Sequence, residues 1–545
     1  MAATAPDADP RRARIVAWIV VAATAAVLTA AFAVPYATQN QVTYLLDPLH
    51  RAMPELFRRD WLLAAPAEQP VFGWLAHWLY VIDPEGATAM IAASFAVTFA
   101  TYIAVYGLTT AVCRGPRALA VFVVFASWLA LTMGRAMGGS YLLAGYLQPS
   151  APATLGWIVA MAALVRGRYL LCGVVLAAAG ALHINFLVLG IGLFTLGALA
   201  RRDVGRRALV ELLAPQLIVL AVFAPGLVAA ATPSDEALTV LTRFHAPGHY
   251  LGSRVIVWSP ALVAWQLAAL AALAMLDGAV REVRALWRLS LVSCAIAVGA
   301  GLIICIPAFE RLTQLFCSRV APFGQLGCEI LVAAALVAPS ASRSPARRAW
   351  LGAAVAAALV LDGHFMKLSL LETAAAVAVV AAALAVPARL VRHTGAALAV
   401  VALAVALWAS PRGAGLTTVP AGTDGELALA SWAQRSTPTD ALFFTPPRLA
   451  RLRLLARRSI VGDTKSPPLR PDALVAWYHR LCAIVARSDA PTHEAIEQAW
   501  YTLPLTELER IARTFGADYV VVDSAAQISG APVYRNAEFA VYRVE

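Results

Sequence analysis

Charged residues are scarce in this sequence. They make up 14% of its 545 residues, whereas hydrophobic residues make up 60% and the mean hydropathy is +0.71. Soluble domains carry roughly 25% charged residues, so this composition excludes an ordinary soluble protein. Lysine occurs only at Lys367 and Lys465, and arginine supplies nearly all of the positive charge. The sequence therefore predicts a polytopic membrane protein.

Alternating strand patterns of the barrel type are also missing, and most apolar segments are long enough to cross a ~30 Å hydrocarbon core as helices. We therefore expect a polytopic α-helical membrane protein with about thirteen transmembrane helices. The predicted spans are residues 15–34, 87–112, 118–134, 152–166, 169–183, 186–200, 208–231, 257–276, 289–308, 321–338, 350–365, 370–388 and 394–409.

Arginine is distributed unevenly between the connections. It precedes the first apolar run and recurs in every second connection, for example at 114–117, 201–207 and 343–348. The positive-inside rule places these loops and the N-terminus in the cytoplasm, and an odd helix count then places the C-terminus outside. The first helix is too long for a removable signal peptide and is expected to remain as an anchor. Much of the net charge of +11 lies in these loops, so no nucleic-acid partner is predicted.

Nucleotide-binding and metal-binding motifs are absent. Neither GxxxxGK[ST] nor GxGxxG follows a predicted strand, which disfavours nucleotide hydrolysis and dinucleotide binding. The seven cysteines show no disulfide framework and no metal-ligand spacing.

The first long outer loop, residues 35–86, concentrates charge in "DPLHRAMPELFRRDW", residues 47–61. Its segments "ELFRRDWLL" and "VFGWLAHWLYVI" mix aromatic, aliphatic and charged residues, which predicts helices in the membrane interface. Asp47 and Asp60 would then lie near the outer lipid surface. A plain reading makes both of them surface ion-pair partners of Arg58 and Arg59.

Other outward connections carry cations, histidines and amides that could build one polar cavity for an anionic headgroup. These are "GRAMGGSYLLAGYLQPSAP", "TRFHAPGHYLGSR", "FERLTQLFCSR" and the turn at His183 and Asn185. His245 and His249 have a HisX3His spacing, but Pro247 and Gly248 break a helix between them, so metal ligation is disfavoured. Arg135 and Arg319 have an equally good explanation as arginines that snorkel to phospholipid headgroups.

A change of composition near residue 410 indicates a separate C-terminal domain. Residues 1–409 form the predicted transmembrane domain, 410–425 a Gly/Pro/Thr linker, and 426–545 a small extracytoplasmic α/β domain. Its strands are expected in "ALFFTPP", "SIVGD", "ADYVVVDS" and "FAVYRV", and "RLARLRLLARR" is expected to form a basic amphipathic helix. Lys465, in "GDTKSPPLRP", follows a strand end, where α/β sheets commonly bind ligands.

This arrangement of one helix, a long acidic outer loop, many further helices and a C-terminal outer domain resembles the GT-C superfamily of polyprenyl-phosphate-dependent glycosyltransferases. The stretches "YLLDPLHRAMPELFRRDW", "RFHAPGHY" and "WAQRSTPTDALFFTPPRLARLRLLARRSIVGDTKSPP" are also similar to an uncharacterised bacterial family of multi-helix proteins, annotated only by a domain of unknown function. The resemblance implies a bacterial inner-membrane protein of the cell envelope that uses a polyprenyl-phosphate sugar donor at the outer membrane face.

The resemblance also implies roles for particular residues. Asp60 is the first choice for the catalytic carboxylate and Asp47 the second. GT-C enzymes often carry a tight acidic pair in this loop that helps to place a divalent metal, and here no such pair indicates one. Candidate substrate-binding residues are Arg59, Arg135, Tyr146, Gln148, Arg243, His245, His249, Tyr250, Arg311, Arg319 and Lys465.

Two other classes of function stay open at this point. A transporter is expected to place ionisable residues within its helices, and Asp362 and Glu372 are the best examples here, although no inverted repeat is evident. A non-catalytic envelope scaffold would leave the outer polar loops without a shared cavity. The sequence does not identify the sugar, the acceptor, any protein partner or the oligomeric state.

Overall fold

A computed structural model describes residues 10–38, 40–65, 69–201, 203–230, 233–276, 280–337, 344–366, 369–385, 391–410, 416–468, 470–526 and 531–544. Lys367 and part of the predicted linker, residues 411–415, lie outside these ranges.

Long apolar helices form most of the chain up to residue 410, as in a multi-pass membrane protein. Among the described residues, six helices are long and apolar enough to cross a membrane: Arg11–Ala31, Ala87–Val112, Arg206–Leu227, Gly252–Met275, Arg281–Ile303 and Cys317–Val337. The other long helices of this part are Pro116–Thr132, Ser150–Val165, Tyr169–Leu182, Ile184–Leu199, Pro345–Met366, Leu370–Ala385 and Val391–Trp408. Every predicted span overlaps one of these helices, but the exact number of membrane crossings stays a prediction.

One predicted span is displaced from its helix. The structure has a helix over Arg281–Ile303, whereas residues 289–308 were expected. The arginine-rich first turns continue the helix beyond its apolar part, so the apolar run marks the helix start too late. After the helix, residues Pro307–Leu315 form a separate 3-10 helix. A proline at the first position of that segment suits a helix start, because its missing N–H would have no partner there.

The first long loop is folded rather than extended. It contains short helices at Gln41–Tyr44 and Leu46–Ala52, a 3-10 turn at Trp61–Ala64 and a longer helix at Pro70–Ile82. The last of these matches the expected "VFGWLAHWLYVI" helix and exposes Trp74 and Trp78. The expected "ELFRRDWLL" helix is wrong, because the backbone turns at Phe57, whose φ is +61°.

The C-terminal segment, residues 416–544, contains a mixed five-stranded sheet. Its strands are β1 (Leu442–Phe444), β2 (Ser459–Ile460), β3 (Tyr519–Asp523), β4 (Tyr534–Arg535) and β5 (Phe539–Arg543), in the order β2-β1-β3-β5-β4. Strand β1 is parallel to β2 and β3, and β5 is antiparallel to β3 and β4. The helices of this segment are Asp424–Ser436, Pro471–Ile484, His493–Thr502 and Leu505–Thr514.

Two features of this segment differ from what the sequence predicts. The "RLARLRLLARR" stretch holds only a five-residue π-helical turn, Arg453–Arg457, instead of an amphipathic helix. Three of the five residues in this π-helical turn are buried, including Arg453, so its basic residues do not form a solvated helix face. The helix His493–Thr502 is also present and was not expected.

The C-terminal segment shares its hydrophobic cores with the rest of the chain. Ala450 and Leu454 pack in one cluster with Leu46, Leu49 and Phe72 of the first long loop. A second cluster joins residues 240–244 to the core around Trp477. The candidate site lies where these parts meet.

Candidate functional site

One cavity between these parts has a volume of about 490 Å³. Polar and apolar side chains both line it, which suits an amphipathic ligand. Its polar lining residues include Gln69, His183, Asn185, Gln314, Arg319 and Arg470. Its apolar lining residues include Val188, Phe223, Leu227, Leu241, Leu315 and Leu474.

Arg319 and His183 contact each other in the lining of this cavity. A guanidinium nitrogen of Arg319 lies 3.5 Å from Nε2 of His183, and the guanidinium stacks over the rings of Phe316 at 4.7 Å and Phe186 at 5.5 Å. His183 is only 8% exposed. The atoms Nδ1 of His183 and Nε of Arg319 have no hydrogen-bond partner among the described residues, and neither has Oδ1 of Asn185. Buried polar atoms normally have partners, so this arrangement indicates a site that a polar ligand completes.

A smaller cavity of about 60 Å³ adjoins the larger one, and Tyr44 and Gln69 line both. Asp47 lines the small cavity and lies 3.0 Å from Arg51, one helical turn later. Gln69 accepts a hydrogen bond from the backbone amide of Ile184 at 3.2 Å. This bond holds the first long loop, which carries Asp47, against the turn that carries His183. Asp47 and Arg319 therefore line neighbouring cavities.

Three histidines, His245, His249 and His493, and Lys465 lie outside the lining of both cavities. Burial lowers the pKa of His245 to about 3, and the neighbouring His493 adds to the effect. Burial also lowers the pKa values of His249 and His493, and the positive charge of Lys465 lowers all three further. The three histidines are therefore neutral at pH 7. Arg319 and Arg470 supply the positive charge in the lining of the large cavity, and Lys465 lies in the loop that precedes Arg470.

His249 supports the cavity wall. Its Nδ1 bonds the carbonyl of Gly138, and its ring packs against Phe316 and Tyr250, both of which line the cavity. His245 packs against Trp477 and His493. Within the part of the chain that the structure describes, no group of three or more His, Cys, Asp or Glu side chains could hold a metal ion.

Asp60 lies in a buried ion-pair network instead of a cavity. One carboxylate oxygen accepts from Nε of Arg453 at 2.8 Å and from the amide of Ile460 at 3.2 Å, and the other accepts from the amide of Leu62 at 3.1 Å. Both side chains of the Asp60–Arg453 pair have 0% exposure. A substrate hydroxyl has no access to this carboxylate, so these surroundings do not favour Asp60 as a base. Asp47 takes its place as the leading candidate.

Four other predicted binding residues lie outside the lining of the two cavities. Arg59 pairs with Asp518 at 2.6 Å, and Arg311 pairs with Asp235 at 2.8 Å. Arg243 and Arg135 are exposed, and neither lines either cavity. Asp60, Arg243, His249 and Arg311, four of the candidate site residues, therefore do not line a common cavity among the two described here.

Tyr146 and Gln148 are buried in an internal network. Gln148 donates to the hydroxyl of Tyr141 at 2.9 Å and accepts from the side-chain amide of Asn40 at 3.1 Å. The two tyrosine hydroxyls of this network, Tyr141 and Tyr146, lie 3.3 Å apart. The network fixes the loop backbone and faces neither cavity.

The sequence expectations therefore find part of the site. Tyr250 and Arg319 line the large cavity. His183, Asn185 and Gln314 belong to the outward connections that are expected to build a polar cavity, but they are not among the predicted binding residues. The sequence expectations miss Gln69 and Arg470, because single polar residues in loops give no local signal. Arg453 was missed because its neighbours indicate a solvated basic helix.

The two acidic residues considered for a transporter lie elsewhere. Asp362 is 1% exposed and accepts hydrogen bonds from Trp265 and from Gln325, whose amide also donates to Glu329. Glu372 accepts from the amide and hydroxyl of Ser369 at a helix start. Neither Asp362 nor Glu372 lines the cavity that holds Arg319.

Comparison with known proteins identifies this architecture. The structure of ArnT from Cupriavidus metallidurans bound to undecaprenyl phosphate matches with a TM-score of 0.53 and 15% identity, over 98% of this chain and 98% of that chain. The chain has the GT-C fold. The oligosaccharyltransferase of Archaeoglobus fulgidus in its apo form matches with a TM-score of 0.47 and 11% identity, over 93% of this chain and 69% of that chain. The expected resemblance to GT-C proteins is thus confirmed for the fold.

The sequence comparisons are narrower. Residues 424–484 match a family described as a domain of unknown function (DUF6798), and this range extends from helix Asp424–Ser436 through strands β1 and β2 to helix Pro471–Ile484. No curated protein matches the chain.

Proposed function

We propose that this GT-C protein is a glycosyltransferase that uses a polyprenyl-phosphate-linked sugar as donor. The observation that carries the proposal is a cavity whose lining combines the half-buried cation Arg319 and the buried His183 with many apolar side chains. A lipid phosphate has the matching division into an anionic head and an apolar tail. The fold supports the same ligand class, since its ArnT neighbour is bound to undecaprenyl phosphate.

The donor would bind with its phosphate at Arg319 and its lipid tail along the apolar lining residues of the cavity. The planar guanidinium can bind two phosphate oxygens at once, and its stacking on Phe316 holds that plane in place. His183 adds a neutral ring nitrogen that can share a hydrogen bond. Val188, Phe223 and Leu227 would contact the first apolar units of the lipid.

The acceptor would bind in the adjoining small cavity. Asp47 removes the proton of the acceptor hydroxyl while the acceptor oxygen bonds to the anomeric carbon of the sugar. The bond from that carbon to the phosphate oxygen breaks, and the polyprenyl phosphate leaves with the electron pair. Arg319 and Lys465 stabilise the charge that develops on the leaving phosphate. The described residues offer no metal-ligand group, so this charge is assigned to the two cations.

The proposed site faces the extracytoplasmic side of a bacterial inner membrane. The arginine-rich loops support a cytoplasmic N-terminus, and the C-terminal segment contributes Arg470 and Leu474 to the cavity. In this proposal residues 1–409 form the transmembrane domain, 410–425 the linker and 426–545 the extracytoplasmic domain.

The test uses the full-length protein in detergent micelles or nanodiscs. Binding of undecaprenyl phosphate would be measured first, and transfer from undecaprenyl-phosphate sugars to a panel of acceptors second. Asp47→Asn should retain donor binding and lose roughly 10²-fold or more in transfer rate. Glu55→Gln, an exposed carboxylate on the same loop, is the matched control and should behave as wild type.

Two results would contradict the proposal. A wild-type protein that binds no polyprenyl phosphate would favour the scaffold hypothesis. Full transfer activity in Asp47→Asn would remove Asp47 from the mechanism.

A further inference from the structure

Arg453 is a completely enclosed charged residue of the C-terminal segment. Its guanidinium has 0% exposure and contacts Asp60 at 2.8 Å, Asp463 at 2.6 Å and the hydroxyl of Ser466 at 3.1 Å. Both carboxylates also have 0% exposure. Burying three charges is costly unless each is paired and hydrogen-bonded, so the network tolerates little displacement of its members.

The network continues into the backbone around Lys465. The carboxylate oxygen of Asp463 that does not contact Arg453 accepts a hydrogen bond from the backbone amide of Lys465 at 2.8 Å. The backbone carbonyl of Asp463 accepts from the indole N–H of Trp477 at 2.8 Å. The carbonyl of Lys465 accepts from the hydroxyl of Thr43 at 3.2 Å. The backbone of Lys465 is therefore held on both sides, while its side chain is exposed.

The side chain of Lys465 acts on the residues beside the cavity. Its positive charge contributes to the lowered pKa values of His245, His249 and His493. Thr43, which holds the Lys465 carbonyl, lines the small cavity together with Asp47 and Pro468. The loop that carries Lys465 therefore borders the small cavity through Pro468 and the large cavity through Arg470.

We propose that Asp60, Arg453 and Asp463 are positioning residues, which hold the backbone of Lys465 so that its ammonium group meets the donor phosphate. This inference rests on the proposed function and specifies how one of its phosphate ligands is held. It assigns Asp60 a role through Lys465 and not through contact with substrate. The two assignments predict different kinetics.

The first experiment needs no lipid ligand. A protease that cleaves only after lysine has two sites in this sequence, at Lys367 and Lys465. In the folded full-length protein, the rate of cleavage after Lys465 reports how often its loop opens. Asp60→Asn should accelerate this cleavage roughly tenfold, because Arg453 then keeps only one of its two ionic partners.

A matched control removes a different contact between the same two parts of the chain. Arg457 binds the carbonyl of Pro84 at 2.6 Å and the carboxylate of Glu85 at 3.2 Å, without touching residues 463–466. Arg457→Ala should leave cleavage after Lys465 at the wild-type rate. Should Asp60→Asn fail to fold, Ser466→Ala, which removes only one hydroxyl from Arg453, gives the same test with a smaller change. Wild-type cleavage in both variants would overturn the positioning role.

The second experiment is a double-mutant cycle on donor binding. Asp60→Asn should raise the Kd for undecaprenyl phosphate roughly tenfold when Lys465 is present, and should have no further effect in a Lys465→Ala background. Any change in the turnover rate at saturating donor should also disappear in the Lys465→Ala background, because Lys465 stabilises the leaving phosphate as well. Equal effects in both backgrounds would show that Asp60 does not act through Lys465.

The outcomes separate this inference from the proposed function. A large loss of turnover in Asp60→Asn with unchanged Kd would make Asp60 a direct catalytic group and overturn the inference alone. Absence of polyprenyl-phosphate binding in the wild type would overturn the proposed function and the phosphate role of Lys465. The protease experiment would then still decide whether the network orders the loop.

Discussion

Arg319 lies 3.5 Å from Nε2 of His183, although 136 positions separate the two residues. The contact joins the turn at the start of helix Ile184–Leu199 to the 3-10 segment Cys317–Val320. It places one cation and one buried neutral ring at the same end of a mostly apolar cavity. Because the guanidinium also stacks on two phenylalanines, its position is set before any ligand arrives.

Two substitutions of Arg319 should weaken donor binding to different extents. Arg319→Lys keeps the charge but loses the planar fork and the stacking, so the Kd for undecaprenyl phosphate should rise about tenfold. Arg319→Ala should raise it about 100-fold, because the charge is lost as well. Isothermal titration in micelles would measure both values. Arg435→Ala, a change at an exposed arginine far along the chain, serves as control. Equal Kd values for all four proteins would exclude Arg319 from the phosphate site.

The sequence predicts the fold better than it predicts the site. Apolar runs locate the helices because a hydrocarbon core demands long apolar segments. The buried runs "YVVVD" and "FAVYR" locate β3 and β5. The helix His493–Thr502 does carry a signal, because Ile496, Ala499 and Trp500 follow the helical period and are buried. The turn at Phe57 is missed because a positive φ at a phenylalanine has no sequence signal.

The site depends on contacts between distant segments. Arg311 and Arg319 look equivalent in the sequence, yet one pairs with Asp235 on the surface and the other enters the cavity. Asp60 is a reasonable candidate base until Arg453, 393 positions later, is found against its carboxylate. Local charge patterns cannot show which carboxylate is enclosed and which borders a cavity, because that depends on tertiary packing.

A second group of buried polar residues should matter for stability. Gln325 donates to Glu329 at 3.0 Å and to Asp362 at 2.9 Å within the helical bundle. Gln325→Leu leaves both carboxyl groups without this donor, so the free energy of unfolding should fall by about 1–3 kcal/mol. Thermal unfolding in detergent would measure the change. Gln498→Leu, at an exposed position, is the control, and an equally stable Gln325→Leu protein would contradict the expectation.

The proposed orientation can be tested with reporter fusions. A reporter active only in the cytoplasm should be silent when fused after residue 545, because the C-terminal segment is expected outside. The same reporter fused after Gly205, in an arginine-rich loop, should be active. Activity at the C-terminal fusion together with silence at the Gly205 fusion would reverse the topology and move the candidate site to the cytoplasmic side.

The last prediction concerns the pH dependence of stability in the C-terminal segment. Glu497 has two buried carboxylate oxygens without a hydrogen-bond partner among the described residues. Burial raises its pKa from 4.5 to about 7, and the nearby Arg448 opposes the rise. A raised pKa means that the folded state binds the proton more tightly than the unfolded state. The stabilising contribution is therefore complete below about pH 4.5 and is lost as the pH rises through 7.

Glu497→Gln should remove this pH dependence, because glutamine stays neutral at every pH. The variant should be more stable than wild type at pH 8 by about 1 kcal/mol, a modest value because part of the side chain faces water. At pH 5 the two proteins should unfold at nearly the same temperature. Glu494→Gln, on the same helix, should give no gain at pH 8, because backbone hydrogen bonds at the helix start lower the pKa of Glu494 and favour its charged form. Thermal unfolding followed by tryptophan fluorescence between pH 5 and pH 8 would measure all three proteins. A Glu497→Gln protein whose stability falls with pH as steeply as that of wild type would show that other groups control this dependence.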